Sequence, residues 1–269
     1  MTAKKINLAV AGADGRMGRE VLSAAAADAA FEVALAFERA GHPAVGSAAA
    51  AWGTPIQADD ALQTQDGIQV LIDFTTPAGT LAFAEVCRQR GIGMVVGSTG
   101  FDAAQWQALQ AAGADIPILV AQNMSVGVNA MYRIAEFAAT TLKAGRLGGG
   151  YDIEVSEEHH RHKKDAPSGT ALRLGQVLAS ATGASFEADA AFTRHGAEAK
   201  RGEHDIGFSV LRGGDIVGTH RVLFAGSGEQ IEVIHRSSSR ANYAAGALYA
   251  AKFIAAAPAG FYDGISAIS

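Results

Sequence analysis

Ionisable side chains are concentrated in one short segment of the chain, residues 157–170, whose sequence is EEHHRHKKDAPSGT. Three of the eight histidines of the protein lie there. Imidazole groups exchange protons near neutral pH, whereas ammonium groups and the backbone amides at a helix start hold anions. The segment therefore places a proton donor beside a receptor for carboxylate or phosphate. A solvated basic loop is the alternative interpretation of such a charged run.

The composition indicates a globular protein of mildly acidic charge. The chain has 269 residues, of which 49% are hydrophobic and 18% charged, and its formal net charge is −5. This length predicts one large domain or two ordinary ones. The acidic balance argues against nonspecific nucleic-acid binding. Because no charge-free apolar run reaches about 18 residues, we expect no membrane span, and the charged start predicts no signal peptide.

The protein contains one cysteine, Cys87, which excludes an internal disulfide and a zinc site made of cysteines. Its neighbours follow an apolar helical pattern, so we expect the thiol to be buried. A reducing, cytoplasmic location is the simplest expectation from this cysteine usage.

The first half of the chain alternates strand-like runs with helical patterns, which predicts a parallel, doubly wound sheet. Thr76 and Asp102 are predicted helix N-caps, with Pro77 in the first turn after Thr76. The predicted strands cover residues 6–11, 31–37, 70–74, 94–96 and 118–120. The predicted helices include residues 19–27 and one that follows Asp102 and runs through residue 109.

The second half has a different pattern. A long helix at about residues 126–143 precedes a glycine-rich linker, residues 145–150, and Tyr151, Ile153 and Val155 then alternate with polar residues as in a half-exposed strand. A helix ending near Gly183 follows the basic segment. Short glycine-containing links separate the later strands, which favours antiparallel pairing between neighbours. These strands cover residues 206–211, 222–224 and 231–234, and an alanine-rich helix covers residues 241–256.

A glycine-rich loop separates the first strand from the first helix. Gly12, Gly15 and Gly18 follow a G-x-x-G-x-x-G spacing, which allows a tight turn and a close approach of the backbone to a pyrophosphate. Glu38 ends the second strand, where an acidic side chain binds the adenosine ribose hydroxyls. The adjacent Arg39 can instead pair with a 2′-phosphate. Dinucleotide binding is the prediction, and an ordinary strand–helix turn with a charged strand end is the alternative.

Two further loops follow predicted strands, GSTGF at residues 97–101 and AQNMS at residues 121–125. Ligands in open α/β sheets bind at the carboxyl ends of the strands, so both loops are candidate contacts. Glycine, serine and asparagine are also common turn residues, which is the structural alternative.

With these motifs in this order, the chain resembles the dihydrodipicolinate reductase family, also named 4-hydroxy-tetrahydrodipicolinate reductases. The resemblance covers nearly the whole chain and is most specific over residues 158–170. It implies a Rossmann-like dinucleotide-binding domain of residues 1–126 with 238–269. It also implies a substrate-binding and oligomerisation domain, an α+β fold with an open mixed sheet, over residues 127–237. The implied cofactor is NADH or NADPH, without a metal, and the implied assembly is a homotetramer.

The resemblance also assigns roles residue by residue. His159 matches the catalytic acid and Lys163 its partner, while His160, Gly169 and Thr170 match the substrate-carboxylate site. The positions that match the cofactor-binding pattern are Gly12, Ala13, Asp14, Gly15, Arg16, Met17, Glu38, Arg39, Gly97, Ser98, Thr99, Ala121, Gln122, Asn123 and Met124. Met124, Ser98 and the 145–150 linker depart from the family pattern, which affects contacts near the nicotinamide and the geometry between domains.

The implied reaction is the reduction of 4-hydroxy-tetrahydrodipicolinate in bacterial diaminopimelate and lysine biosynthesis, with a hydride from the nicotinamide and a proton from His159. A metal site of Glu157, His159 and His160 is one alternative, but zinc takes three or four converging ligands. A nucleotide-binding sensor is a second alternative, since fold does not imply function, but it leaves the His–Lys run unused. A dehydrogenase acting on aspartate-like substrates is the third, and it would lack the Ser-Gly-Thr helix start.

Overall fold

The computed structural model describes residues 5–47, 53, 55–144 and 150–264. Most of the predicted 145–150 linker, residues 145–149, lies outside the described residues. The chain divides into two compact units. The first unit contains the chain up to Val126 together with the part from Arg240 onward, and the second contains the residues from Gly127 to Ser239.

The structure contains short strands and helices in alternation. In chain order they are β1 (Ile6–Ala11), α1 (Arg16–Ala27), β2 (Phe31–Glu38), β3 (Gln57–Ala58), α2 (Ala61–Thr64), β4 (Val70–Asp73), α3 (Pro77–Arg90), β5 (Gly93–Val96), α4 (Ala103–Ala112), β6 (Pro117–Val120), α5 (Val126–Ala144), β7 (Asp152–His159), α6 (Gly169–Thr182), α7 (Phe186–Asp189), β8 (Ala190–Ala191), β9 (Ile206–Arg212), β10 (Gly218–Ala225), β11 (Gln230–Ser237), α8 (Ala241–Ile254) and β12 (Gly260–Asp263). Within the described part of the chain, none of these helices has the length and apolar character needed to cross a membrane.

The first unit is built on a seven-stranded sheet in the order β12-β6-β5-β4-β1-β2-β3, and every neighbouring pair is parallel. The prediction of a parallel, doubly wound sheet is therefore confirmed. Successive β1 side chains enter opposite cores, with Leu8 on the face covered by α1 and α8 and Ala9 on the face covered by α3 and α4. The strand order reverses between β4 and β1, which is where such sheets bind ligands.

Local signals define the helix starts in this unit. The Thr76 side chain accepts a hydrogen bond from the Gly79 amide, and Pro77 occupies the first helical position. Asp102 forms a capping box with Gln105 at the start of α4. Both predicted caps are confirmed, and so is the buried position of Cys87 in α3.

The second unit contains a mixed sheet in the order β11-β10-β7-β9-β8. The predicted antiparallel pairing is confirmed for β10 with β11. It is wrong for β9 with β10, because β7 lies between them, antiparallel to β10 and parallel to β9. The glycine link after β9 stays hydrogen-bonded to the end of β7 and the residues that follow it. Gly213 N donates to His159 O, and Arg161 N donates to Gly214 O. It therefore crosses the central strand instead of closing a hairpin.

Several element boundaries differ from the predictions. Helix α1 begins at Arg16, three residues before the predicted start, so Arg16 and Met17 form its first turn while residues 12–15 form the loop. Helix α8 ends at Ile254, before the predicted residue 256. Five elements were not predicted, namely β3, α2, α7, β8 and β12. Each has two or four residues, which is too short to show a periodic pattern.

The core of the second unit lies on one face of the mixed sheet, against α5 and α6. Buried residues alternate along β7 at Ile153, Val155, Glu157 and His159. The buried face of β7 is thus apolar at its first two buried positions and ionisable at its last two. That change places the predicted catalytic histidine at the carboxyl end of β7.

Candidate active site

The glycine loop of the first unit has the geometry of an anion receptor. Gly12 has a left-handed φ of 69°, and Gly15 precedes the first helical residue in an extended conformation. A Cβ atom at Gly18 would lie 2.0 Å from Gly12 O, so glycine is needed there for α1 to pack against the loop. Among the described residues, no side chain caps the start of α1. An uncapped helix start beside the strand-order reversal suits a pyrophosphate group.

Glu38 braces this loop. Its Oε1 atom accepts a hydrogen bond from Asp14 N at 2.9 Å, and Ala13 N donates to Phe37 O at 3.2 Å. The loop is therefore tied to the end of β2 at two successive residues. Arg39 follows directly and is exposed. Glu38, which is predicted to contact the adenosine ribose, therefore also stabilises the glycine loop through its hydrogen bond with Asp14 N. Arg39, the other residue predicted there, is its neighbour in the chain.

A buried carboxylate organises the next loop. Asp73, at the end of β4, is inaccessible to solvent and accepts hydrogen bonds from Thr75 N at 2.9 Å, Thr75 Oγ1 at 2.6 Å and Ser98 Oγ at 3.3 Å. The Thr80 hydroxyl also donates to it. Burial raises the pKa of Asp73, and these hydrogen bonds oppose that effect. Gly97 N donates to Asp73 O at 2.8 Å, so the Gly97 loop is anchored at two points.

The segment after Asp73 joins the two nucleotide loops, and sequence reasoning did not assign it to the site. A Cβ atom at Gly97 would lie 2.1 Å from Phe74 Cε1, and one at Gly12 would lie 3.1 Å from Thr75 Cγ2. Both glycines therefore allow contact with this segment. The available signal was its place directly after the buried strand β4, at the edge of the sheet where ligands bind.

The third loop of the first unit divides into buried and exposed positions. Ala121 and Met124 are buried, whereas Gln122 is exposed. Asn123 Oδ1 accepts a hydrogen bond from Ser125 N at 2.9 Å, which closes a tight turn. The Met124 side chain packs in the core beneath α8. Met124, one of the departures from the family pattern, is therefore a residue of the core packing.

The second unit contains a buried cluster centred on Glu157, which we call the Glu157 cluster: Glu157, His159, Ser168, Arg212 and His220. Glu157 is 1% exposed. Its Oε2 atom lies 2.5 Å from His159 Nδ1 and 2.8 Å from Arg212 Nη1. Its Oε1 atom accepts from Arg212 Nη2 at 2.8 Å and from Ser168 N at 3.0 Å. The two oxygens thus face four donors, which come from the strands β7 and β9 and from the loop before α6.

The charges in this cluster set the protonation of its members. Burial alone would raise the pKa of Glu157, but hydrogen bonds from His159 and Arg212 outweigh it and hold that pKa at about 2. Because Glu157 is a carboxylate, His159 Nδ1 is the donor in their contact. Burial, together with the charge of His159, lowers the pKa of His220 to about 3. His220 is therefore neutral, and its Nε2 atom lies 3.1 Å from Ser168 Oγ.

Lys163 is held beside this cluster. Its Nζ atom lies 2.9 Å from Asp165 Oδ2, and its side chain is 21% exposed. Burial raises the pKa of Asp165, but the hydrogen bond and charge of Lys163, a backbone hydrogen bond and the charge of Arg212 together lower it. Arg212 Nη2 also donates to Asp165 O at 2.7 Å. One guanidinium group therefore connects the Glu157 carboxylate with the loop that carries Lys163.

The predicted carboxylate-binding residues lie around the start of α6. Ser168 caps the helix by accepting from Ala171 N at 3.2 Å. Gly169 is exposed, and a Cβ atom there would have no neighbour within 4 Å. The Thr170 side chain hydrogen-bonds with Tyr132, whose pKa burial raises to about 12. His160 is half-buried, and its backbone carbonyl accepts from Lys163 N at 3.0 Å.

The structure brings the predicted residues of the second unit together around groups that sequence reasoning missed. Glu157 was considered only as a metal ligand, and Arg212 and His220 were not assigned. Glu157 could have been found, because it shares the buried face of β7 with His159. Arg212 and His220 are more than fifty residues away along the chain, so no local pattern indicates them. Among the described residues, no group of three or more His, Cys, Asp or Glu side chains is arranged to hold a metal ion.

Comparisons with known proteins agree with this architecture. The family model described as the N-terminus of dihydrodipicolinate reductase matches residues 6–124, and the one described as its C-terminus matches residues 127–267. The 4-hydroxy-tetrahydrodipicolinate reductase of Nitrosomonas eutropha is 47% identical over 262 residues, 96% of each chain. The protein of that name from Burkholderia orbicola is 48% identical over 264 residues, 96% of this chain and 97% of its own. Among solved structures, dipicolinate-bound dihydrodipicolinate reductase from Paenisporosarcina sp. TG-14 shares the fold, with a TM-score of 0.79, 22% identity, and coverage of 99% of this chain and all of its own.

Proposed function

Because this chain belongs to the dihydrodipicolinate reductase family, we propose that it reduces 4-hydroxy-tetrahydrodipicolinate to tetrahydrodipicolinate, with loss of water. This step belongs to diaminopimelate and lysine biosynthesis. The observation that carries the proposal is the Glu157 cluster, which holds a histidine ready to donate a proton beside a lysine and a helix start that receive a dicarboxylate. A nicotinamide cofactor, when bound, supplies the hydride.

The first unit would hold that cofactor through its three loops. The amides at the start of α1 would receive the pyrophosphate, and Gly12 and Gly15 would allow the backbone to approach it closely. Glu38 and Arg39 lie where the adenosine ribose binds. The loops at Gly97–Thr99 and Ala121–Met124 border the nicotinamide, the first of them held by Asp73.

His159 would supply the proton. Its Nδ1 atom donates to Glu157, so Nε2 is the atom that can deliver a proton to the substrate. A Cβ atom at Gly218 would lie 3.0 Å from that Nε2 atom. Glycine at this position therefore leaves the Nε2 atom uncovered on that side.

Lys163 and the start of α6 would hold the substrate carboxylates. The Lys163 ammonium provides a fixed positive charge, and the Gly169 and Thr170 amides point from a helix N-terminus, where anions are favoured. His160 lies in the same loop and would complete this receptor. The open space at Gly169 is where a carboxylate can approach the backbone.

The cofactor preference and the assembly are also part of the proposal. Glu38 favours NADH and Arg39 favours NADPH, so we expect both nucleotides to be used. A cytoplasmic homotetramer is expected from the family resemblance.

One assay tests the activity directly. The preceding synthase generates the substrate in situ, and oxidation of NADH or NADPH is followed by absorbance. The proposed function predicts consumption of the reduced nucleotide that depends on both synthase and reductase. A reductase that binds nucleotide but consumes none with this substrate would instead indicate the sensor or the dehydrogenase alternative.

A further inference from the structure

Glu157 occupies a position in which it cannot touch the reactants. Its side chain is 1% exposed, and a carboxylate has about four acceptor sites, all of which are used by His159, Ser168 and the two Arg212 nitrogens. Any effect of Glu157 on the reaction must therefore pass through one of these neighbours.

We infer that Glu157 is a positioning residue that fixes the proton donor His159 and the carboxylate-binding start of α6 in one arrangement. The inference rests on the proposed function, since it concerns how the two halves of that site are held relative to each other. Both halves lie in the second unit, and the same carboxyl group bonds to each.

The contact with His159 determines which ring nitrogen is presented. A carboxylate only accepts hydrogen bonds, so Nδ1 must carry a proton and Nε2 is directed away from Glu157. His159 is 8% exposed, so few orientations of the ring bring Nε2 to a ligand. Without the Glu157 contact, the ring would lose the bond that selects its rotamer and tautomer.

The contact with Ser168 fixes the anion receptor. Ser168 N donates to Glu157 Oε1, and Ser168 is the N-cap of α6. The next two amides are those of Gly169 and Thr170. A displacement of the Glu157 carboxylate would therefore move these amides as well as the imidazole.

Arg212 allows this carboxylate to remain buried. Its bidentate contact balances the charge of Glu157 and satisfies both oxygens. Through Asp165 O it also connects the pair to the Lys163 loop. All three proposed substrate-facing groups are thus linked to one buried ion pair.

Glu157→Gln tests the inference, because an amide has a single acceptor oxygen and cannot satisfy four donors. Displacements of about 1 Å can cost about 10²-fold in rate. We therefore expect kcat to fall by about 10²-fold, with a larger solvent deuterium isotope effect on kcat. Binding of dipicolinate, measured by calorimetry, should weaken by about tenfold or more, while NADPH affinity remains unchanged. Glu158→Gln is the matched control, since Glu158 points to the opposite face of β7, and it should behave as the wild type.

The double variant His159→Gln/Glu157→Gln separates positioning from an independent effect. If Glu157 acts through His159, the second substitution should reduce kcat little further, while the loss of dipicolinate affinity persists. Multiplicative losses in kcat, or unchanged dipicolinate binding in Glu157→Gln, would overturn the inference. If Glu157→Gln does not fold, Glu157→Asp keeps the charge, withdraws it by one methylene, and should show the same pattern.

Failure of the inference is distinguishable from failure of the proposed function. Wild-type protein that consumes no reduced nucleotide with the substrate would refute the function and the inference with it. Wild-type activity together with an unaffected Glu157→Gln variant would refute the inference alone.

Discussion

Acid should destabilise the second unit through His220, well before it protonates Glu157. His220 is 3% exposed. Burial and the nearby charge of His159 lower its pKa from an ordinary 6.5 to about 3. In the unfolded chain the same imidazole titrates at its ordinary value. Between these two pKa values the unfolded state therefore binds more protons than the folded state.

The sign and size of the effect follow from proton linkage. The stability due to neutral His220 is fully present above the unfolded pKa and is lost as the pH falls from about 6.5 towards about 3. At about pH 5 the expected loss is about 2 kcal/mol, and the limit, reached below the folded-state pKa, is about 5 kcal/mol. Glu157, with a pKa lowered from 4.5 to about 2, loses its contribution only below its unfolded pKa, so it adds little at about pH 5.

Hydrogen exchange measured by mass spectrometry can isolate this unit. Protection of the β7 and β10 amides, corrected for the intrinsic pH dependence of exchange, should correspond to an opening free energy about 2 kcal/mol lower at about pH 5 than at about pH 7. His220→Gln should be less stable at about pH 7 and should lose most of the difference between the two pH values. His204→Gln, at an exposed histidine of the same unit, should retain the wild-type difference. Equal protection at both pH values, or an unchanged pH difference in His220→Gln, would refute the reasoning.

Three further predictions concern the proposed site. Gly218→Ala places a methyl group 3.0 Å from His159 Nε2 and should lower kcat in the coupled assay by about 10²-fold. Gly213→Ala is the control: its methyl group has its nearest contact at 3.7 Å, so this variant should retain activity. The methyl group added by Gly169→Ala meets no atom of the chain within 4 Å, so the melting temperature should be unchanged. The KM for the substrate should nevertheless rise about tenfold or more. An unchanged KM would remove this position from the carboxylate site. Glu38→Ala should weaken the binding of NADH and NADPH alike, by about 1–3 kcal/mol in binding titrations, because the glycine loop loses its hydrogen bond to this side chain. Glu38→Gln should keep that hydrogen bond and retain NADPH binding. Loss of NADH binding alone in Glu38→Ala would assign that side chain to the ribose only.

Much of the first unit could be predicted from the sequence, because its signals are local. Runs of apolar residues identified β4 and β5, and the caps at Thr76 and Asp102 depend on residues within one helical turn. The glycine loop likewise depends on neighbouring positions, since Gly12 and Gly18 are needed by the strand, turn and helix that they join. The basic segment at residues 157–170 was recognisable for the same reason.

Only the tertiary structure determined how distant segments meet. The β9–β10 link contains ordinary turn residues, yet β7 lies between the two strands. The order of strands in a sheet depends on partners that are far away in the chain. Arg212 reaches Glu157 across fifty-five positions, and His220 reaches Ser168 across fifty-two. Residue types and spacing along the chain predicted a histidine that can donate a proton. The carboxylate that orients it lies on the same face of β7, but the Arg212 guanidinium and the His220 imidazole come from the pairing of β7 with β9 and with β10, which no local pattern encodes.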